Sequence, residues 1–152
     1  MKLLSPAFNY GEMIPKKYTC DGQNINPPLV ISDVPKEAKS LALLMEDPDV
    51  PKQIRADGLF VHWLVFDMAT GISNIAEGQE PTGTPALNTA GKPGYTGPCP
   101  PDREHRYFFK LFALDKTLAD VKISGREDFL VAIEGHVLEQ SELVGVYDRA
   151  GR

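Results

Sequence analysis

Two short stretches hold most of the side chains that could do chemistry. One is Asp47-Pro48-Asp49-Val50-Pro51; the other runs from Gly94 through Gly97-Pro98-Cys99-Pro100-Pro101 to His105-Arg106-Tyr107. Proline fixes φ and holds its predecessor extended, so these ionisable groups sit on a stiff frame. Each stretch adjoins an apolar, strand-like segment. A rigid polar cluster at the ends of core strands predicts a preformed pocket for a small charged ligand. An imidazole beside a carboxylate has its protonated form favoured and can hold an anion near neutral pH. Asp47 or Asp49 could partner His62, which begins an otherwise apolar row.

The same groups allow a second reading, a hydrolase or metal-dependent enzyme using His62 and His105 with Asp47. No Gly-x-Ser-x-Gly elbow and no His-Glu-x-x-His motif accompanies them, so catalysis is not the expectation. Cys99 near His105 is a candidate thiol nucleophile, although its flanking prolines suit a structural loop residue. Plainer roles exist for each residue. A buried histidine is usually a satisfied structural group, Asp-Pro pairs form turns, and Arg106 suits an acidic partner. His136 has no motif around it and reads as structural or exposed.

The elements that must position these groups are mostly strands. Thirteen prolines and thirteen glycines cut the chain into short segments. Residues 28–31, 41–45, 60–68 and 106–114 read as buried strands, the long apolar runs suiting a sheet covered on both faces. Alternation puts His105, Tyr107, Phe109 and Leu111 on one face and Arg106, Phe108, Lys110 and Phe112 on the other. It likewise groups Phe60, His62 and Leu64. Ser124-Gly125-Arg126-Glu127 matches a capping box, and Phe129, Ile133 and Val137 recur at helical spacing, predicting a helix to about Gln140. Residues 143–147 read as a closing strand, and 76–92 as a long loop.

The chain has 152 residues, the size of one domain, with a net charge of −5 from 16 basic and 21 acidic residues. That balance, with no basic run, argues against nucleic acid as a partner. No apolar stretch reaches the roughly 20 residues of a bilayer span, and no signal-type leader is evident, so a cytoplasmic protein without stable membrane insertion is expected. Cys20 and Cys99 are too far apart for a CxxC motif. Two free thiols are the plain reading, and one disulfide remains open because pairing depends on geometry.

In combination, Asp-Pro-Asp-x-Pro, a His-Trp strand, Gly-Tyr-x-Gly-Pro-Cys-Pro-Pro and His-Arg-Tyr resemble the phosphatidylethanolamine-binding protein family. The likeness is to its small prokaryotic, Raf-kinase-inhibitor-like branch. Tyr18-Thr19-Cys20-Asp21-Gly22, Asn26-Pro27-Pro28-Leu29 and residues 132–138 fit the same pattern. The resemblance implies a mainly β, Greek-key β-sandwich with a C-terminal helix and few peripheral helices. It implies a non-enzymatic, cofactor-free binding protein with a pocket for phosphate or a phosphorylated head group such as phosphoethanolamine. A kinase or peptidase target and a homodimer are further implications. Carried over by motif, the pocket comprises Asp47, His62, Pro100, Pro101, His105 and Tyr107. Both histidines would donate to the anion, with Tyr107 adding its hydroxyl, the prolines forming an apolar wall and Asp47 orienting a histidine. A cis Val50-Pro51 bond is also implied. Two departures stand out: Arg103 where relatives commonly have glycine, and Asp67 where many have asparagine.

Overall fold

A computed structural model describes residues 1–149. The strands are β1 (Lys2–Leu4), β2 (Leu29–Ser32), β3 (Ser40–Asp47), β4 (Phe60–Met68), β5 (Asn74–Ile75), β6 (Thr84–Pro85), β7 (His105–Leu114) and β8 (Val137–Tyr147). One helix, α1 (Arg126–Ile133), and a single 3-10 turn over Lys16–Tyr18 complete the elements. The strands form a five-stranded sheet, β6-β4-β3-β7-β8, and a three-stranded sheet, β1-β2-β5. All named strand pairings are antiparallel. The long return from β4 lands β7 beside β3, the non-adjacent connection that a Greek-key sandwich requires.

The large sheet is covered twice, which explains its unbroken apolar runs. Leu41, Leu43, Met45, Trp63, Val65, Phe109 and Leu111 pack towards Leu3, Leu29 and Ile31 of the small sheet. Ala42, Leu44, Leu64, Phe66 and Phe112 pack on the other face with Phe129 and Ile133 of α1. Glu46 is buried on that outer side, 2.8 Å from Lys110 and 2.7 Å from Arg126, and so ties the helix to the sheet. Buried charge is tolerable here because both carboxylate oxygens are paired.

The helix is shorter than its spacing predicts. Gly125 is the N-cap, and the Ser124 amide and hydroxyl both donate to Asp128 Oδ2 at 3.0 and 2.7 Å, so Asp128 takes the role expected of Glu127. At the other end Gly135 adopts φ +79°. This left-handed stop ends the helix near Ile133. Val137 and Leu138 therefore open β8, where Val137 pairs with Leu114, rather than extending the helical stripe. The Val50-Pro51 bond is trans, as are all peptide bonds among the described residues. Within the expected 76–92 loop, Thr84 and Pro85 pair with Phe66 and Val65 as a short edge strand.

Cys20 and Cys99 form a disulfide spanning 79 positions, which replaces the reading of two free thiols. Closing so long a loop restricts the unfolded chain, worth about 4 kcal/mol in the chain-entropy view. Reduction, or Cys20→Ser, should therefore lower unfolding stability by about 2–4 kcal/mol in denaturant titration. An unchanged midpoint would remove the bridge from the stability account.

Candidate ligand-binding site

The strand ends build the site. Met45 pairs with Phe109 and Glu46 with Phe108, so the inward residues Asp47 and His105 become diagonal neighbours. His105 is fully buried, and its Nδ1 lies 2.7 Å from Asp47 Oδ2. Asp47 Oδ1 also accepts the Asp49 amide at 2.7 Å, an Asx turn that Pro48 stiffens. Asp49 in turn receives Arg106 twice, at 2.9 and 2.8 Å, together with the Arg106 amide at 2.9 Å. Those bonds hold the Asp49 carboxyl below its ordinary range. Turn-forming and ion-pairing roles thus coexist with the site role.

His105 has a second carboxylate partner. Its Nε2 lies 2.7 Å from Asp102 Oδ1, on the Pro-Pro-Asp turn that precedes β7. With both carboxylates ionised, both ring nitrogens must donate, which is the protonated ring. The two acids differ in setting. Burial pushes the Asp47 carboxyl up despite its hydrogen bond from His105. The same histidine pulls the exposed Asp102 carboxyl down. The directions differ because Asp47 is desolvated and Asp102 is open to water.

His62 is placed by a bulge. Met45 pairs with Trp63 but Glu46 pairs with Val61, so His62 is the extra residue of β4. A bulge re-aims the side chain, here onto the Tyr107 ring at 5.3 Å between centroids. Strict alternation grouped it with Leu64, which lies in the helix-side core instead. Its Nδ1 donates to the Thr96 carbonyl at 2.6 Å, and the Thr96 amide donates back to the His62 carbonyl at 2.9 Å. Neither Asp47 nor Asp49 partners it. Burial lowers its pKa to about 4. The neutral ring protonated on Nδ1 offers Nε2 as an acceptor, so a ligand meeting His62 there must bring a hydrogen of its own.

The remaining wall comes from the Gly-Pro-Cys-Pro-Pro segment. The Gly97 amide donates to Asn24 Oδ1, and a Cβ on Gly97 would sit 2.4 Å from both that oxygen and the Tyr18 carbonyl. Only glycine admits that approach. The Cys20 amide donates to the Pro98 carbonyl, and the disulfide fixes Cys99 beside it. The resulting cavity, about 460 Å³, is lined by Asp47, His62, His105, Pro100, Pro101 and also by Arg55, Phe60, Thr89, Thr96 and Cys99. Five of the six expected pocket residues therefore meet at one cavity. Tyr107 is fully buried and packs against both histidines without lining it. Asp102, Thr96 and Arg55 were not singled out in the sequence; the i,i+3 spacing of Asp102 to His105 was the available sign for one of them.

Arg103 lies at the exposed edge, 3.6 Å from Asp102. Asp67 instead accepts the Leu118 amide at 2.7 Å in a left-handed conformation, away from the cavity lining. His136 pairs at the surface with Asp115. Cys99 carries no thiol while bridged to Cys20. Among the described residues no cluster of three His, Cys, Asp or Glu side chains is arranged to hold a metal ion, and no helix is long and apolar enough to cross a membrane.

Fold and cavity together define a two-sheet β-sandwich protein with a largely apolar-walled pocket at the strand ends, into which two histidines and an aspartate are set. The family model of the phosphatidylethanolamine-binding protein matches residues 4–148, and the chain belongs to that family. It is 57% identical over 150 residues to a UPF0098 protein of Chlamydia pneumoniae, covering 99% of this chain and 100% of that one. The crystal structure of a phosphatidylethanolamine-binding protein homologue from Chlamydia trachomatis is 51% identical, with TM-score 0.94 and 97% of each chain covered. Escherichia coli YbcL, described as a member of the mammalian family, is 25% identical with TM-score 0.84, covering 97% of this chain and 98% of its own. Membership places the chain, at a coarse level, among binding proteins.

The neutral state of His62 has a pH consequence. Below its unfolded pKa near 6.5, the unfolded chain takes up a proton that the native ring refuses until about pH 4. This contribution is complete above pH 6.5 and lost progressively as pH falls towards 4, about 3 kcal/mol in all. Nitrogen NMR should show the Nδ1–H tautomer of His62 unchanged between pH 7 and 5, and His62→Gln should make the acid fall in Tm shallower. Titration of this ring near pH 6.5 would contradict the assignment.

Proposed function

We propose that this chain is a non-enzymatic binding protein whose strand-end cavity takes a small phosphoryl anion, phosphate or a phosphorylated head group. The observation that carries the reading is His105, fixed from behind by buried Asp47 and lining a cavity with Pro100 and Pro101. Protonated on both nitrogens, its ring presents Nε2–H as the anion's donor while Asp47 balances the charge within. His62 complements this arrangement. Its acceptor Nε2 suits the P–O–H of a singly protonated phosphoryl group, which phosphate monoesters carry in part near neutral pH. The proline wall excludes water from one side of the ligand, which strengthens both hydrogen bonds. The family's name points to the same ligand chemistry. Modulation of a kinase or peptidase partner, in the cytoplasm and as a homodimer, would be a use of this pocket.

Calorimetric titration with phosphate and with phosphoethanolamine tests the reading. Saturable heat is expected in the native protein and should be lost in His105→Ala. Because that change strands Asp47 in the core, amide shift mapping of the unsubstituted protein is the parallel readout, with movement expected at Thr96, Gly97 and His105. No heat and no shifts with either compound would reject the phosphoryl site.

A further inference from the structure

The nitrogen through which His105 would meet an anion already faces one. Asp102 Oδ1 lies 2.7 Å from Nε2, and its other carboxylate oxygen lies 3.6 Å from Arg103 Nε. We propose that the Asp102 carboxylate is an internal occupant of the anion site, that ligand entry exchanges it for a phosphoryl oxygen on His105 Nε2, and that Arg103 receives the displaced side chain. This inference rests on the anion-site reading above.

The two acids on His105 are unequal in their freedom to leave. Asp47 has a side chain 4% exposed and is held additionally by the Asp49 amide. Moving it would strand a buried, unpaired charge. The Asp102 side chain is 40% exposed on the turn between Pro101 and β7, so water can solvate its carboxylate once it leaves. The exchange also conserves charge: the imidazolium lies between two anions before and after it. A neutral acceptor would trade an ion-pair hydrogen bond on the imidazolium for a weaker one in which only the donor is charged, so the internal carboxylate selects oxyanions.

Arg103 completes the argument. It is anchored by its own bonds to the Glu104 carbonyl at 3.2 Å and the Asp49 carbonyl at 3.4 Å. A cation thus stands beside the place the carboxylate vacates. A tethered group three residues from its target competes at an effective concentration in the millimolar range or above, which raises the apparent Kd of any external anion.

The test is phosphate affinity, by calorimetry, in native protein, Asp102→Ala and Asp102→Asn. Removing the competitor should tighten binding about tenfold in Asp102→Ala, equivalent to ~1.4 kcal/mol, with a smaller gain in Asp102→Asn, whose amide oxygen is a weaker acceptor. Equal or weaker binding in both variants overturns the exchange and makes Asp102 a support for the charged histidine, leaving the anion site standing. Absence of phosphate binding in native protein and both variants overturns the exchange and the anion site together. Arg103→Ala should weaken binding a few-fold in the native background and not at all beside Asp102→Ala. A loss in the second background would make Arg103 a direct ligand contact and remove its receiving role.

Discussion

The buried bond between Asp47 and His105 is the constraint around which the site is built. A carboxylate and an imidazole, both almost fully out of water, are tolerable only while each satisfies the other. The bond requires β3 and β7 to be adjacent and in one particular register, since a one-residue slip of either strand would turn that strand's member of the pair to the helix face. It also requires the Asp47 turn to be held, which the Asp49 amide does directly and Arg106, on the outer face of β7, does by pairing with the Asp49 carboxylate. Sheet register, turn chemistry and ion pairing therefore depend on one another at this end of the sandwich.

The second histidine is placed by a different device. A strand buried on both faces has no polar side on which to put an imidazole, and strict alternation would send His62 towards the helix. The bulge opposite Met45 and Glu46 turns it against Tyr107, and the Thr96 carbonyl takes its one donor. The outcome is two histidines with opposite chemistry in one cavity. His105, between carboxylates, is a donor. His62, desolvated and bonded to a carbonyl, is neutral and offers an acceptor. That asymmetry is what the proposed phosphoryl ligand, both anionic and protonated, would use.

The wall opposite these rings belongs to no sheet. It is a loop fastened from several sides: Gly97 against Asn24, Cys99 to Cys20, and the Tyr95 hydroxyl on the Tyr18 carbonyl. Its stiffness comes from prolines and its position from the N-terminal segment. This explains why a motif at 18–22 and one at 94–101 serve one cavity despite their separation along the chain.

The amino-acid sequence by itself determined the class of fold and most of the site. Apolar runs at 41–45, 60–68 and 106–114 can be buried only in a sheet covered twice, and period-two alternation places His105 and Tyr107 on its inner face. Local chemistry also marked the Asp-Pro turns and the acidic partner of Arg106. What it left undecided were matters of pairing. The helix ended early because Gly135 turned left-handed, a signal outweighed in the pattern by Val137. His62 was assigned to the wrong row because a bulge is a relation between two strands, not a property of either. Asp102 went unmarked because its role exists only once His105 is fixed by Asp47, and the Cys20–Cys99 bridge needed the two loops in contact. Residue types and their periods are written along one chain; which nitrogen faces which oxygen depends on distances that only folding sets.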